Sequence, residues 1–260
     1  MHKLGISPQA LARRLWLRRA LGAGGALTLA GCDKLGSNET FSQVLASGET
    51  LNRWARDAVG SAGVTMAQEF SKADLSPSFR GNGNTNPTSA EYKALVAGGF
   101  ADWRLEIEGL VETPKALSLA ELKALPSRTQ ITRHDCVEGW SAIGQWTGVP
   151  LAQLIALVKP KPEARYVVFH CADSFGDAPY YESIDMQDAR HPQTILAYAL
   201  NDQPLPVTNG APLRLRVERQ LGYKHAKYLM GLEFVDSLAD FGDGKGGYWE
   251  DQGYQWYAGI

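Results

Sequence analysis

The stretch Ile131-Thr132-Arg133-His134-Asp135-Cys136-Val137-Glu138-Gly139-Trp140-Ser141 sets a thiol among a guanidinium, an imidazole and two carboxylates. The thiolate is the form of cysteine that binds metals or attacks electrophiles, and the positive or donor character of Arg133 and His134 would favour it. An inert structural cysteine is the competing reading, and residue types alone leave it open. Upstream, Ser76 to Pro87 is rich in Gly and Asn, which suits neither a helix nor a central strand. Within it, Phe79-Arg80-Gly81-Asn82 combines a glycine, which permits close backbone approach to a ligand, with an asparagine offering donor and acceptor together. A plain surface turn is the alternative. No G-x-S-x-G, Walker A, H-E-x-x-H or paired C-x-x-C occurs, so serine hydrolases, P-loop NTPases, zincins and zinc ribbons drop out.

These residues need elements to position them. Gln130 to Cys136 reads as a strand that delivers Cys136 at its end, and Arg165 to Cys171 as a strongly apolar one. Trp103 to Val111 alternates, with Glu106 and Glu108 outward. Further strands are expected at about 180–184, 194–200, 213–217 and 228–235, with a turn at Asn201-Asp202. Helices are expected from Ser42 to Val59, weakened by Gly48; from a Thr88/Glu91 capping box to Val96, closed by Gly98-Gly99; after Ser118/Glu121 up to Pro126; and from Val149 to Val158. Irregular spacing of mixed elements argues for an α+β fold with mixed β-sheets and peripheral helices rather than regular βαβ alternation. The aromatic tail from Trp249 to Ile260 is expected to pack on the domain, because large rings are costly left in water.

Hydrophobic residues at 44% and charged residues at 21% describe a globular chain able to bury a core. The net charge of −2 hides an asymmetry, since residues 1–32 carry Lys3, Arg13, Arg14, Arg18 and Arg19 and no acid, leaving 21 bases against 28 acids beyond them. That acidic remainder has no excess charge to hold a phosphate backbone, so a nucleic-acid partner is not expected. Arg13-Arg14 before the Gly/Ala-rich stretch from Ala20 to Gly31 resembles a twin-arginine export signal, a route that carries folded proteins to the periplasm. Leu29-Ala30-Gly31-Cys32 resembles a lipobox, and acylated Cys32 followed by Asp33 would anchor the domain at the inner membrane. Residues 33–50 read as a tether, so the expected organisation is 1–32 signal, 33–75 tether and N-terminal helix, and 76–260 catalytic domain. Three cysteines are too few for a disulfide framework.

Three linked motifs now bear on function. Cys136-Val137-Glu138-x-Trp140-Ser141 with Trp146-x-Gly148-x-Pro150-Leu151, then Asn209-Gly210-Ala211-Pro212-Leu213-Arg214, then Gly222-Tyr223-Lys224-x-x-Lys227, are similar in order and spacing to the sulfite oxidase family of molybdopterin-binding oxidoreductases. The likeness runs from about Phe79 to the C-terminus and is greatest to the haem-free branch that reduces protein methionine sulfoxide. It implies a sulfite-oxidase-type domain holding one molybdenum–molybdopterin group and no haem, with Cys136 as the one protein ligand of the metal. It places Arg214 and Lys227 at the cofactor phosphate, and Arg80, Gly81, Asn82, His134, Asn209, His225, the main chain at Ala226, and Cys171 among the other cofactor contacts. Cys171 has a second reading, as a core cysteine ending the Val167-Val168-Phe169 strand. A Cys136–Cys171 disulfide would consume the ligand and is rejected for the active protein.

Arg80 resembles the family's loop arginine and, with Glu138, is a candidate for positioning substrate. Tyr180 or Tyr181 could reach the metal pocket, but adjacent strand residues cannot both face it. Val137-Glu138-Gly139 departs from the C-x-G-N-R pattern of the sulfite-oxidising branch, and a carboxylate there disfavours sulfite unless Arg80 and Arg133 offset it. The resemblance therefore implies two-electron oxygen-atom transfer on a small or protein-bound sulfur or oxo substrate. Reduction of a sulfoxide and oxidation of a small sulfur compound both stay open, and in either direction electrons would be exchanged with a c-type or membrane b-type cytochrome, because the chain has no C-x-x-C-H haem site. A monomer is expected, since only about 25 residues follow Val235 where dimeric members carry a further domain. A cofactor-free binding lipoprotein and a Cys136/Cys171 thiol redox protein are the readings from other classes.

Overall fold

The structure, a computed structural model, describes residues 39–60 and 65–260. The export signal, the lipobox and Cys32 lie outside the described residues. The chain divides into two compact units at Ala58 and Val59. Helix α1 spans Glu39–Gly60, so it starts inside the segment read as a tether and runs through Gly48. A mid-helix glycine costs about 1 kcal/mol relative to alanine, too little to break a helix of this length.

The second unit is built on two sheets. In one, β1 (Arg104–Gly109) pairs with β2 (Lys115–Ser118) and, in parallel, with β10 (Leu229–Val235). Strand β10 also pairs with β5 (Tyr166–Phe175), which pairs with β6 (Ala178–Asp185), giving the order β2-β1-β10-β5-β6. The other sheet runs β3 (Arg128–Cys136), β4 (Trp140–Pro150), β7 (Ile195–Leu200), β8 (Gln203–Pro204), with β9 (Arg214–Arg216) paired on β7. Helices α2 (Ala90–Ala97), α3 (Leu119–Ala124), α4 (Leu151–Val158), α5 (Met186–Ala189) and α6 (Tyr248–Asp251) complete the α+β arrangement.

The core joins the two sheets. Leu105 and Ile107 of β1, Phe169 of β5 and Leu232 and Phe234 of β10 share one cluster with Leu154 and Ile155 of α4 and Leu215 of β9. Glu106 and Glu108 stay exposed, as the alternation requires. Trp146 of β4 is fully buried in a second cluster with Ile195, Ala197 and Leu205, against Phe79 of the Gly/Asn-rich loop. Burying a ring of that size removes on the order of 150–250 Å² from water, about 4–6 kcal/mol at ~25 cal/mol/Å². That packing fixes where the loop starts.

Several boundaries differ from expectation. Ser89, not Thr88, caps α2, its side chain accepting from the Tyr92 N–H. Strand β4 lies where no element is expected, between Cys136 and Val149. Gly148 is there because a Cβ would stand 2.2 Å from the Leu196 carbonyl oxygen of the neighbouring strand. The strand continues to Pro150, so α4 begins at Leu151 rather than Val149. The β7–β8 turn is the Asn201-Asp202 pair, both with positive φ (51° and 61°), the conformation of a tight hairpin. Ser118 and Glu121 do form the capping box of α3.

Candidate active site

Strand β3 ends at Cys136, the tight turn 137–139 follows, and β4 returns at Trp140. Cys136 opens onto a cleft of about 120 Å³. Asn82, Glu138, Tyr180, His225 and Lys227 share that lining, which brings these expected residues together from four separate parts of the chain. Tyr180 is the tyrosine that faces in; its hydroxyl donates to the Tyr223 carbonyl at 2.8 Å, while Tyr181 turns away to Phe241 and Asp251.

The remaining expected residues stand outside the lining. Arg214 is fully buried, donating to the Asn209 carbonyl (3.1 Å) and to Asn82 Oδ1 (3.2 Å). Asn209 in turn donates to the Phe79 carbonyl at 3.3 Å. The Gly81 backbone meets the Thr208 carbonyl, where a Cβ would lie 2.5 Å from the oxygen. His134 is buried behind the cleft, its ring 5.1 Å from that of His225 and its Nδ1 3.0 Å from Arg216. Arg216 is clamped by Glu218. The Ala226 carbonyl accepts from Leu215 N. Cys171 packs partly buried against the core, and its thiol is pushed well above its usual range by burial and then by Asp173.

Two expectations about charge are corrected. Arg133 does not support a Cys136 thiolate: it lies on the opposite face of β3, paired with Asp135 at 2.9 Å. His134 supplies no cation either, because burial and then Arg214 hold its pKa well below the ordinary value. Burial pushes the Cys136 thiol up; the Glu138 backbone N–H, Arg214 and Arg80 pull against that. Glu138, expected to meet substrate, already has both oxygens occupied, Oε1 accepting from Gly83 N (3.0 Å) and Oε2 from Trp140 Nε1 (2.9 Å). It therefore ties the Cys136 turn to the Gly/Asn-rich loop. Arg80 lies 4.6 Å over the Trp140 ring and 3.8 Å from Glu138, outside the cleft lining.

Unpartnered buried atoms converge on this place. Asp173 Oδ1 and His225 Nδ1 in the wall, with Arg214 Nε and His134 Nε2 behind it, have no hydrogen-bond partner among the described residues. Trp146, Glu182 and Glu250 carry the others, outside the lining. Each such atom costs about 1–3 kcal/mol unless something satisfies it. Arg214 makes no ion pair among the described residues, and burial together with Arg216 lowers its pKa to about 9. Lys227 donates to the Asn82 and Asn84 carbonyls, and burial and Arg214 lower its pKa. Two buried cations served mainly by neutral oxygens fit an anionic group, and a partly buried soft sulfur nearby fits a metal already bound by dithiolene.

Sequence reasoning missed Asp173, which is 4% exposed in the cleft wall with its pKa raised by burial against the opposing pull of Lys227. It sits two residues after Cys171 on β5, and nothing in Ala172-Asp173-Ser174 marks it. Also missed were Phe175, Tyr223, Trp249 and Tyr254, which form an aromatic side of the cleft.

Fold and site together define a molybdopterin-binding oxidoreductase domain, and the chain belongs to that family: residues 94–240 match the oxidoreductase molybdopterin binding domain. Among similar proteins, one from Azospira oryzae, provisionally named protein-methionine-sulfoxide reductase subunit YedZ1, is 39% identical over 95% of this chain and 88% of its own length. The protein-methionine-sulfoxide reductase catalytic subunit MsrP of Ralstonia nicotianae is 41% identical over 52% of this chain, and that of Xanthomonas axonopodis pv. citri 34% identical over 69%. This chain spans only 44% and 59% of those two subunits. The sulfane dehydrogenase SoxCD of Paracoccus pantotrophus is 26% identical over 52% of this chain and 39% of its own, with a TM-score of 0.49.

Proposed function

We propose that this protein is a periplasmic molybdenum–molybdopterin enzyme that reduces a sulfoxide, carried on a small molecule or a protein methionine, with electrons from a cytochrome partner. The observation that carries the cofactor reading is the Cys136 thiol on a cleft whose lining residue Asn82 accepts from Arg214, a buried guanidinium that makes no ion pair among the described residues. Cys136 would ligate the metal through Sγ, Arg214 and Lys227 would hold the phosphate, and His225 Nδ1 and Asn82 would meet the organic part. Bound there, the group supplies a two-electron couple suited to oxygen-atom transfer.

The protein's own residues do the rest. Reduction of a sulfoxide takes up two protons and two electrons and releases water with the thioether. Asp173 Oδ1, unpaired and desolvated, is the group in the wall suited to hold one of those protons. Sulfite fits less well. Arg80 is paired with Glu138, and the cations beneath, Arg214 and Lys227, would be taken by the cofactor phosphate, so a dianionic substrate would enter against the Glu138 carboxylate. The names of the similar reductase subunits support the reductive direction and a partner subunit. Export and anchoring rest on Arg13-Arg14 and Cys32.

The test is metal analysis of the exported protein followed by a reduced-viologen assay. Stoichiometric molybdenum and turnover of peptidyl methionine sulfoxide, both lost in Cys136→Ser, are expected. A molybdenum-loaded protein that oxidises sulfite and reduces no sulfoxide would overturn the substrate; a metal-free native protein would overturn the class.

A further inference from the structure

The segment after residue 240 lies beyond the family match, yet it supplies one side of the cleft. Trp249 of α6 sits between Phe175 (centroids 5.4 Å) and Tyr254 (5.4 Å, stacked), and Tyr254 meets Tyr223 edge-on at 5.2 Å. Tyr254 is 41% exposed, which puts it at the rim. The same lining holds Asn82, Asp173 and Lys227. The cleft thus combines polar groups, Asn82 among them in contact with Arg214, with a run of touching rings to which the tail contributes Trp249 and Tyr254.

The tail is fastened, not loosely laid. Glu250 shares Lys224 with Glu182, all three fully buried. The Tyr223 hydroxyl donates to the Gln255 carbonyl at 2.6 Å, Trp256 Nε1 donates to Ser183 Oγ at 2.8 Å, and Leu221 N donates to the Ala258 carbonyl at 2.9 Å. A wall held in this way keeps its rings in place before substrate arrives, so little ordering entropy is lost on binding.

We infer that Trp249 and Tyr254 are specificity-determining residues: they grip the apolar body that carries the oxidised sulfur and select such substrates over small or ionic oxo compounds. This deepens the sulfoxide reading and rests on it for the identity of the reacting group. Aromatic rings attract sulfur and apolar surface, while an anion desolvated against them gains no compensating partner.

The experiment uses the molybdenum-loaded full-length protein and three variants, Trp249→Ala, Tyr254→Ala and Trp249→Phe. For methyl p-tolyl sulfoxide, the alanine variants should raise KM about tenfold with kcat within about twofold, the loss of one good ring contact. Dimethyl sulfoxide, which has no apolar body, should keep its kcat/KM, and Trp249→Phe should stay near the parent. Equal losses on both substrates, or no change on either, would overturn the assignment. Calorimetric titration with methyl p-tolyl sulfone, which cannot be reduced in this way, separates the two layers of the argument. Binding by the parent that weakens about tenfold in Trp249→Ala upholds the wall even if no sulfoxide is turned over. No binding by the parent refutes it.

Discussion

Lys224→Met tests the latch beneath the aromatic wall. Lys224 is the cation between Glu182 and Glu250, and all three side chains are essentially without solvent contact. Removing the ammonium leaves two carboxyl groups facing each other in a site that water does not reach. Breaking a buried ion pair by deleting one partner costs about 3–5 kcal/mol. That is a large share of the roughly 5–15 kcal/mol that holds a domain folded. For a unit of this size it corresponds to a melting temperature lower by very roughly 6–20 °C. The pH dependence has a definite sign. Glu182 is held well above the usual carboxylate range, first by burial and then by Glu250, against the pull of Lys224. Without Lys224 that elevation grows, and a group whose folded pKa exceeds its unfolded value gives stability that is complete at low pH and lost as pH rises. The deficit of Lys224→Met should therefore be largest near pH 8 and shrink toward pH 5. Urea unfolding followed by tryptophan fluorescence at the two pH values measures it. Replacing all three residues by apolar ones should recover much of the loss. A variant within about 1 kcal/mol of the parent at pH 8, or one that weakens further on acidification, would show that the triad is not a buried ion network.

Cys136→Ser should fold with unchanged stability in its metal-free form and purify without molybdenum, which elemental analysis checks. Arg214→Met should remove a buried charge that has no acid partner, so the cofactor-free protein should gain about 1–3 kcal/mol in urea while cofactor occupancy falls; a destabilised cofactor-free variant would refute the role. Asp173→Asn should cut sulfoxide reduction about a hundredfold and flatten its decline with rising pH, as expected for loss of a proton-holding group. Because burial raises the Asp173 pKa, the parent's stability should decline as pH climbs from the unfolded carboxyl value through the folded one, and the asparagine variant should not share that decline.

The division between what was legible in the sequence and what was not follows the range of the forces involved. Strand β3 and its terminal Cys136 were readable because alternation and turn residues are local signals, and the Ser118/Glu121 box worked for the same reason. Strand β4 was hidden because Gly148 answers to a neighbouring strand's carbonyl, a contact almost fifty residues away that no window along the chain reports. The thiolate argument failed for a related reason. Adjacent positions on a strand face opposite ways, so Arg133, next but two to Cys136, looks to solvent, while the guanidinium that reaches the sulfur's surroundings is Arg214, from a different strand. Asp173 carried no signal because a buried carboxylate differs from an exposed one only in what the fold places around it. The tail was expected to pack somewhere on the domain. That it packs on the cleft follows from Lys224, which belongs to a family motif yet turns away from the cleft to bind Glu250. A residue shared between cofactor motif and tail latch makes the substrate wall depend on the same short turn, Gly222–Lys224, that carries Tyr223 into the cleft and leads on to His225 and Lys227. Changes to that turn should therefore alter cofactor retention and substrate preference together.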